Sequence, residues 1–323
     1  MTRRLSGLVA ASLIACGLGS SACAASDFPN RAIHVVVPYP AGGIVEIVAR
    51  AVSEGVGRVV NQTMVVEAKP GADSNIGTAY VARSAPDGYT WLVTGPAVLV
   101  NPTLYKDAGW DATSFKCVGL AVWSPSVAIV PKALPPKTMR EFVELAKSKP
   151  GELNFGNPGI GSSIDLTAKK LFHSTGLKIV DVGYKGQPPA LMDLIGNLIQ
   201  FEVVTTALAL PHIREGTVRP LAVFTKERIP ELPDVPTIAE AGFPDAVYVA
   251  WYGVFVPAAT PDDVVEQIHA AIDKALAAPE TQKRLAYTSI PGKPTPLADL
   301  ATLMKTDHDD LMVVIKANNI TAR

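Results

Sequence analysis

Three short segments of this chain place glycine beside small hydroxyl, amide or aromatic residues where a β-branched run gives way to a helical pattern. The first is Tyr39-Pro40-Ala41-Gly42-Gly43-Ile44-Val45, the second Asn157-Pro158-Gly159-Ile160-Gly161-Ser162-Ser163, and the third Tyr184-Lys185-Gly186-Gln187-Pro188. The start of a helix leaves backbone N–H groups without partners and carries about half a positive charge. Glycines just before it let the backbone approach a ligand closely. Such loops suit a carboxylate without requiring a basic side chain. Ser162 and Ser163 can cap the helix that follows or donate to a ligand oxygen, and Lys185 is a lone cation that can reach a carboxylate. None of the three is a nucleotide motif: G-x-x-x-x-G-K-[ST] is absent, and the spacing in 156–161 is not that of a dinucleotide fingerprint.

The elements that must position these loops follow from hydrophobic pattern. Ile33–Val37, Met64–Glu67 and Tyr89–Val93 read as buried strands, with helical spacing between them over 44–60 and 75–84. Strand–helix–strand alternation implies parallel crossover units and a doubly wound α/β sheet. Near Val118–Trp123 the rhythm changes: Ser124-Pro125-Ser126 is followed at once by a new strand, Val127–Val130, as expected of a crossover between lobes. A second α/β lobe follows, and the extended stretch 247–256 reads as the return crossover. The amphipathic segments 261–278 and 297–317 then pack back on the first lobe. The expected division is 1–24 signal segment, 25–124 plus 250–323 a discontinuous first lobe, and 125–249 the second, with the ligand cleft between them.

Composition narrows the function. The 323-residue chain carries a net charge of -1 and no basic stripe, which excludes a protein built on nucleic-acid phosphates. Arg3 and Arg4, the apolar run 5–18 and the Ala22-Cys23-Ala24 site form an export signal cleaved after Ala24. Lipidation at Cys16 or Cys23 is the alternative. The processed protein is thus expected outside the cytoplasm, as a monomer, with Cys117 as its one cysteine, a small buried hydrophobe. No Ser-His-Asp order, G-x-S-x-G elbow or H-E-x-x-H motif occurs, and His34, His173, His212, His269 and His308 lack metal-ligand spacing. No enzyme activity, cofactor or metal is expected.

Taken in order, the motifs Val37-Pro38-Tyr39-Pro40-Ala41-Gly42-Gly43, Lys69-Pro70-Gly71-Ala72, Asn75-Ile76-Gly77, Ala85-Pro86-Asp87-Gly88-Tyr89-Thr90, Gly159-Ile160-Gly161-Ser162-Ser163, Tyr184-Lys185-Gly186, Pro233–Thr237, Glu240–Phe243 and Trp251-Tyr252-Gly253 resemble one family. It is the Bug-type extracytoplasmic receptors of tripartite tricarboxylate transporters. The resemblance implies a Venus-flytrap, type II-like periplasmic binding fold with two crossover strands at the hinge. It also implies a carboxylate held by loop amides and hydroxyls, and delivery to membrane transporter subunits. It carries Ala41, Gly42, Gly43 and their neighbours over as ligand contacts in one lobe, and Ser162 and Ser163 in the other.

Where that family usually has a small hydroxyl and then an aspartate, this chain has Ile44-Val45-Glu46. Pro96 stands where a serine or threonine is common, and Val204 precedes Thr205 where an aspartate is common. A cleft short of polar partners disfavours amino acids and citrate-like acids, because an unpaired buried polar group costs about 1–3 kcal/mol. The expectation is a flat aromatic mono- or dicarboxylate, with Tyr39, Phe28 or Trp251 as stacking surfaces. An aliphatic di- or tricarboxylate, and a signalling partner in place of a transporter, stay open.

Overall fold

The computed structural model describes residues 28–111, 113–286 and 290–321. The signal segment, with Cys16, Cys23 and the site after Ala24, lies outside them. The chain runs through β1 (Ile33–Val37), α1 (Ile44–Val60), β2 (Met64–Ala68), α2 (Asn75–Ala82), β3 (Thr90–Thr94), α3 (Ala97–Leu104) and β4 (Phe115–Ser124). After Pro125 come β5 (Ser126–Pro131), α4 (Met139–Ser148), β6 (Asn154–Asn157), α5 (Ser163–Thr175), β7 (Val180–Gly183), α6 (Gln187–Ile195), β8 (Glu202–Thr205), α7 (Thr206–Glu215) and β9 (Val218–Val223). The chain then forms β10 (Ala250–Pro257), α8 (Asp262–Ala277), α9 (Pro279–Ala286), β11 (Ile290–Pro291) and α10 (Leu297–Ala317).

Two separate sheets result. The first has strand order β11-β4-β10-β3-β1-β2. Within it β1, β2 and β3 are parallel, as the alternating pattern requires, and β10 inserts antiparallel between β3 and β4. The second is β8-β5-β9, extended by the parallel pair β6-β7 through a bridge between Phe155 and Phe201. The chain passes between the sheets at Pro125 and again just before β10, so this is a two-lobed α/β fold with a two-strand hinge. Helix α1 buries Val45, Val48, Val52 and Val56 at helical spacing against one face of the first sheet. The second lobe closes around a stack of Phe142 on Phe201, 4.6 Å between ring centroids.

The carboxyl ends of β1 and β3 lead to α1 and α3, and those of β6 and β8 lead to α5 and α7. Loops that bind ligands in open α/β sheets sit at such ends. The lobes also touch. A Cβ at Gly161 would meet Leu104 Cδ1 at 2.6 Å, and Asn318, just past α10, donates to the Lys169 carbonyl of α5 at 3.3 Å. Cys117 is a protonated packing residue, its thiol pushed up to about 12 by burial.

One buried group was not visible in the sequence. Glu202 is fully buried on β8, and neither carboxylate oxygen has a partner. Strand alternation turns it to the face of Val204, which packs with Ala190, Leu191 and Leu194 of α6. Burial alone pushes its carboxyl up to about 9 from an ordinary 4.5. Between those values the unfolded chain gives up a proton that the folded chain keeps, so Glu202 makes folding less favourable as pH rises. Glu202→Gln should therefore unfold at a higher temperature than the parent. The gain should be larger at about pH 8 than at about pH 5 in thermal denaturation; a pH-independent difference would contradict a neutral, buried acid.

Candidate functional site

The two glycine loops fold in the same way. In the first, the Gly42 amide donates to Glu46 Oε2 at 2.6 Å, and Arg50 donates to the other oxygen of that carboxylate. The Gly42 amide and Arg50 hold the Glu46 carboxyl below its usual range. In the second, the Gly161 amide donates to Asp165 Oδ2 at 2.9 Å, and Asn157 Nδ2 donates to Asp165 Oδ1 at 2.8 Å. Ser162 caps α5 by accepting from the Asp165 amide at 3.2 Å. Burial lifts Asp165 to about 6 against the pull of these donors and of Lys169. Each helix thus uses a first-turn carboxylate to brace the loop before it.

What remains for a ligand is the helix start itself. Gly43 caps α1 without a side chain, and among the described residues the amides of Ile44 and Val45, and of Ser163 and Ile164 at α5, have no hydrogen-bond partner. Hydroxyls gather beside these ends. Tyr39 meets the Thr94 hydroxyl at 3.4 Å and lies beside Ser74. Burial pushes the Tyr252 hydroxyl up to about 12, with Ser163 of the other lobe and Tyr39 close enough to act on it. A Cβ at Gly95 would collide with the Tyr252 ring at 2.9 Å, so only glycine fits behind it. This arrangement, helix starts and neutral hydroxyls with no basic side chain among them, can hold a carboxylate.

Several sequence-stated contacts are placed elsewhere. Trp251 is 1% exposed, and its Nε1 donates to Asp307 of α10 at 2.8 Å. Strand β10 turns its neighbour Tyr252, not Trp251, toward the hydroxyl cluster, because successive side chains point to opposite faces. Phe28 packs edge-on against Tyr89 at 5.0 Å and is no cleft surface. Val45 and Val204 are core residues of their lobes. The side chain of Asn157 and the amide of Gly161 are engaged by Asp165, so these two residues brace the loop.

Ala41, Gly42 and Gly43 lie exposed at the first loop, and Ile44 is half-buried. Pro96 caps α3, buried behind the loop after β3. The Thr205 amide is taken by Gln187 Oε1 at 2.8 Å. Tyr184, whose hydroxyl donates to Asp193, and Lys185 line a cavity of about 560 Å³ that the second glycine loop also lines through Asn157, Gly159, Ile160 and Asp165. Sequence reasoning missed Tyr252, Thr94, Ser74 and Asn101. The alternation of β10 would have found the first.

A two-lobed α/β fold with a two-strand hinge, shared with periplasmic binding proteins over 91% and 92% of the chain, defines a solute-binding protein of the periplasmic type. The chain matches the tripartite tricarboxylate transporter family receptor, TctC, over residues 48–320, and belongs to that family. A protein from the tcbD-tcbE intergenic region of Pseudomonas sp. (strain P51) is 36% identical over 84% of this chain and 83% of its own length. Among solved structures, the periplasmic binding protein BugD is 30% identical with a TM-score of 0.79, covering 92% of this chain and all of its own. A Rhodopseudomonas palustris protein, Rpa4515, solved with adipate, is 29% identical with a TM-score of 0.81 over 91% of this chain and 99% of its own. Membership makes the chain a receptor and not an enzyme. Among the described residues no helix is long and apolar enough to cross a membrane.

The new position of Trp251 is testable. Trp251→Phe removes a buried N–H to carboxylate bond and part of a core side chain, and should cost about 2–4 kcal/mol in denaturant unfolding. The stabilisation that a bound carboxylate adds should stay the same. A lost ligand response with unchanged stability would put the indole back in the cleft.

Proposed function

We propose that this chain is an exported periplasmic receptor that closes on a small, flat carboxylate of the benzoate or phthalate kind and passes it to membrane transporter subunits. The observation that carries the carboxylate is the pair of helix starts, α1 with no side-chain cap and α5 with its first two amides still open beyond the Ser162 cap, with Tyr39, Thr94, Ser74, Tyr252 and Ser163 beside them and no cation among these side chains. Ala41, Gly42, Gly43, Ile44, Ser162 and Ser163 form its two walls. Flatness now rests on Tyr39 and Tyr252, the rings of that cluster, since Trp251 and Phe28 pack elsewhere. A second reading, an aliphatic dicarboxylate, is favoured by the adipate held by a relative of the same fold.

A thermal-shift and calorimetry panel of benzoate, phthalate, adipate, glutamate and citrate separates these. Benzoate or phthalate should give the largest stabilisation, and Tyr252→Phe should weaken that binding roughly tenfold, as expected for a hydrogen bond to a charged group. Stabilisation by adipate with no response to the aromatic acids replaces the ligand by the aliphatic class. A response to glutamate or citrate alone overturns both.

A further inference from the structure

We infer that Asn101 is a positioning residue that latches the first lobe to the glycine loop of the second lobe when the cleft closes. Asn101 lies on α3 and is 1% exposed. Its Nδ2 donates to the Asp73 carbonyl at 2.8 Å, to Asn75 Oδ1 at 2.9 Å and toward Ser74 Oγ at 3.3 Å. The Asp73 carbonyl can only accept, so the nitrogen end of the amide must face it and the oxygen end must face away. That oxygen, Oδ1, is buried and has no partner.

Oδ1 points across the lobe boundary. It lies 3.2 Å from where a Cβ on Gly161 would stand, with Leu104 Cδ1 at 2.6 Å and Val100 at 3.8 Å from the same point. The Gly161 amide is already given to Asp165. The next donors along that loop, the Ile160 amide and the Ser162 hydroxyl, donate to nothing in this structure. A buried carbonyl oxygen without a donor is costly. Closing the lobes by a small further movement brings a donor of the 160–162 segment to it and removes that cost.

The other end of Asn101 makes the latch relevant to the ligand. Ala72, Asp73 and Ser74 all have positive φ, at 45°, 49° and 77°, after Gly71 at 130°. Consecutive left-handed residues are strained, and such strain persists only where the surroundings hold it. Asn101 Nδ2 holds this turn from within, and the turn carries Ser74 to the Tyr39 hydroxyl. One amide therefore supports the first-lobe cradle with its nitrogen and addresses the second-lobe loop with its oxygen.

Gly161→Ala tests the latch without touching the Nδ2 contacts, and Gly176→Ala is its control. Both glycines have positive φ, 75° and 68°, but a Cβ at Gly176 meets nothing within 4 Å, so the control shares the backbone strain and not the contact. Spin labels on exposed Tyr80 of the first lobe and Met192 of the second, in the ligand-free protein, report the closed-to-open ratio whatever the ligand proves to be. Gly161→Ala and Asn101→Ala should each lower that ratio about fivefold or more, the worth of one hydrogen bond, and Gly176→Ala should not. If Asn101→Ala does not fold, Gly161→Ala in a Leu104→Ala background decides, because the added Cβ there meets Asn101 Oδ1 and no longer Leu104. Equal distance distributions for Gly161→Ala, Gly176→Ala and the parent would overturn the inference and leave Oδ1 as an acceptor for an ordinary buried water.

Discussion

A loop of glycines can present its amides to an anion only if something else fixes it beforehand, since each ordered residue costs about 1–2 kcal/mol of backbone entropy. Here the brace is a carboxylate from the first turn of the following helix: Glu46 on the Gly42 amide, Asp165 on the Gly161 amide. Both loops are thereby shaped before any ligand arrives, and less of the binding free energy goes into ordering them. A brace of this kind also puts negative charge near an anion site, and each one has a counter-cation on its own helix. Arg50 donates to Glu46, and Lys169 acts on Asp165.

The same economy of partners runs through the hinge. Asp307 of α10 accepts from Trp251 at 2.8 Å and from Tyr248 at 3.3 Å, the latter on the segment returning to β10. Past the end of that helix, Asn318 bonds α5 of the second lobe. Helix α10 thus belongs to the first lobe by its packing against β4 while its far end rests on the second. A change in the angle between lobes must pass through these contacts as well as through the two strands.

The sequence made the layout legible because layout depends on periodicity, and periodicity is local. The strands at 33–37 and 90–94, the break at Pro125 and the loops before α1 and α5 could all be read from apolar spacing and glycine position. The candidate site was legible at the level of loops and much less so at the level of side chains. Trp251 is expected from sequence as a stacking surface, whereas the alternation of β10 turns Tyr252 toward Tyr39. Asn101 and Glu202 could not be found in this way, since an asparagine in a helix and a glutamate in a strand look like surface residues until tertiary packing buries them. Of the apolar residues expected at the cleft, Ile44, Val45, Pro96 and Val204, the structure packs Val45 and Val204 into the cores of their lobes.

That relocation changes how selectivity must arise. At the proposed site no lysine or arginine stands among the hydroxyls, so a carboxylate would be recognised by helix starts and O–H groups, whose directions are fixed, rather than by a mobile point charge. One helix start, α1, stands in the first lobe and the other, α5, in the second. An acid that engages only α1 gains little from closure, whereas one whose far end reaches α5 draws the lobes together through the ligand itself. A ligand shifts a conformational equilibrium only by its difference in affinity for the two states. On the proposed site, length and shape between the two helix starts are the property by which one carboxylate would be distinguished from another.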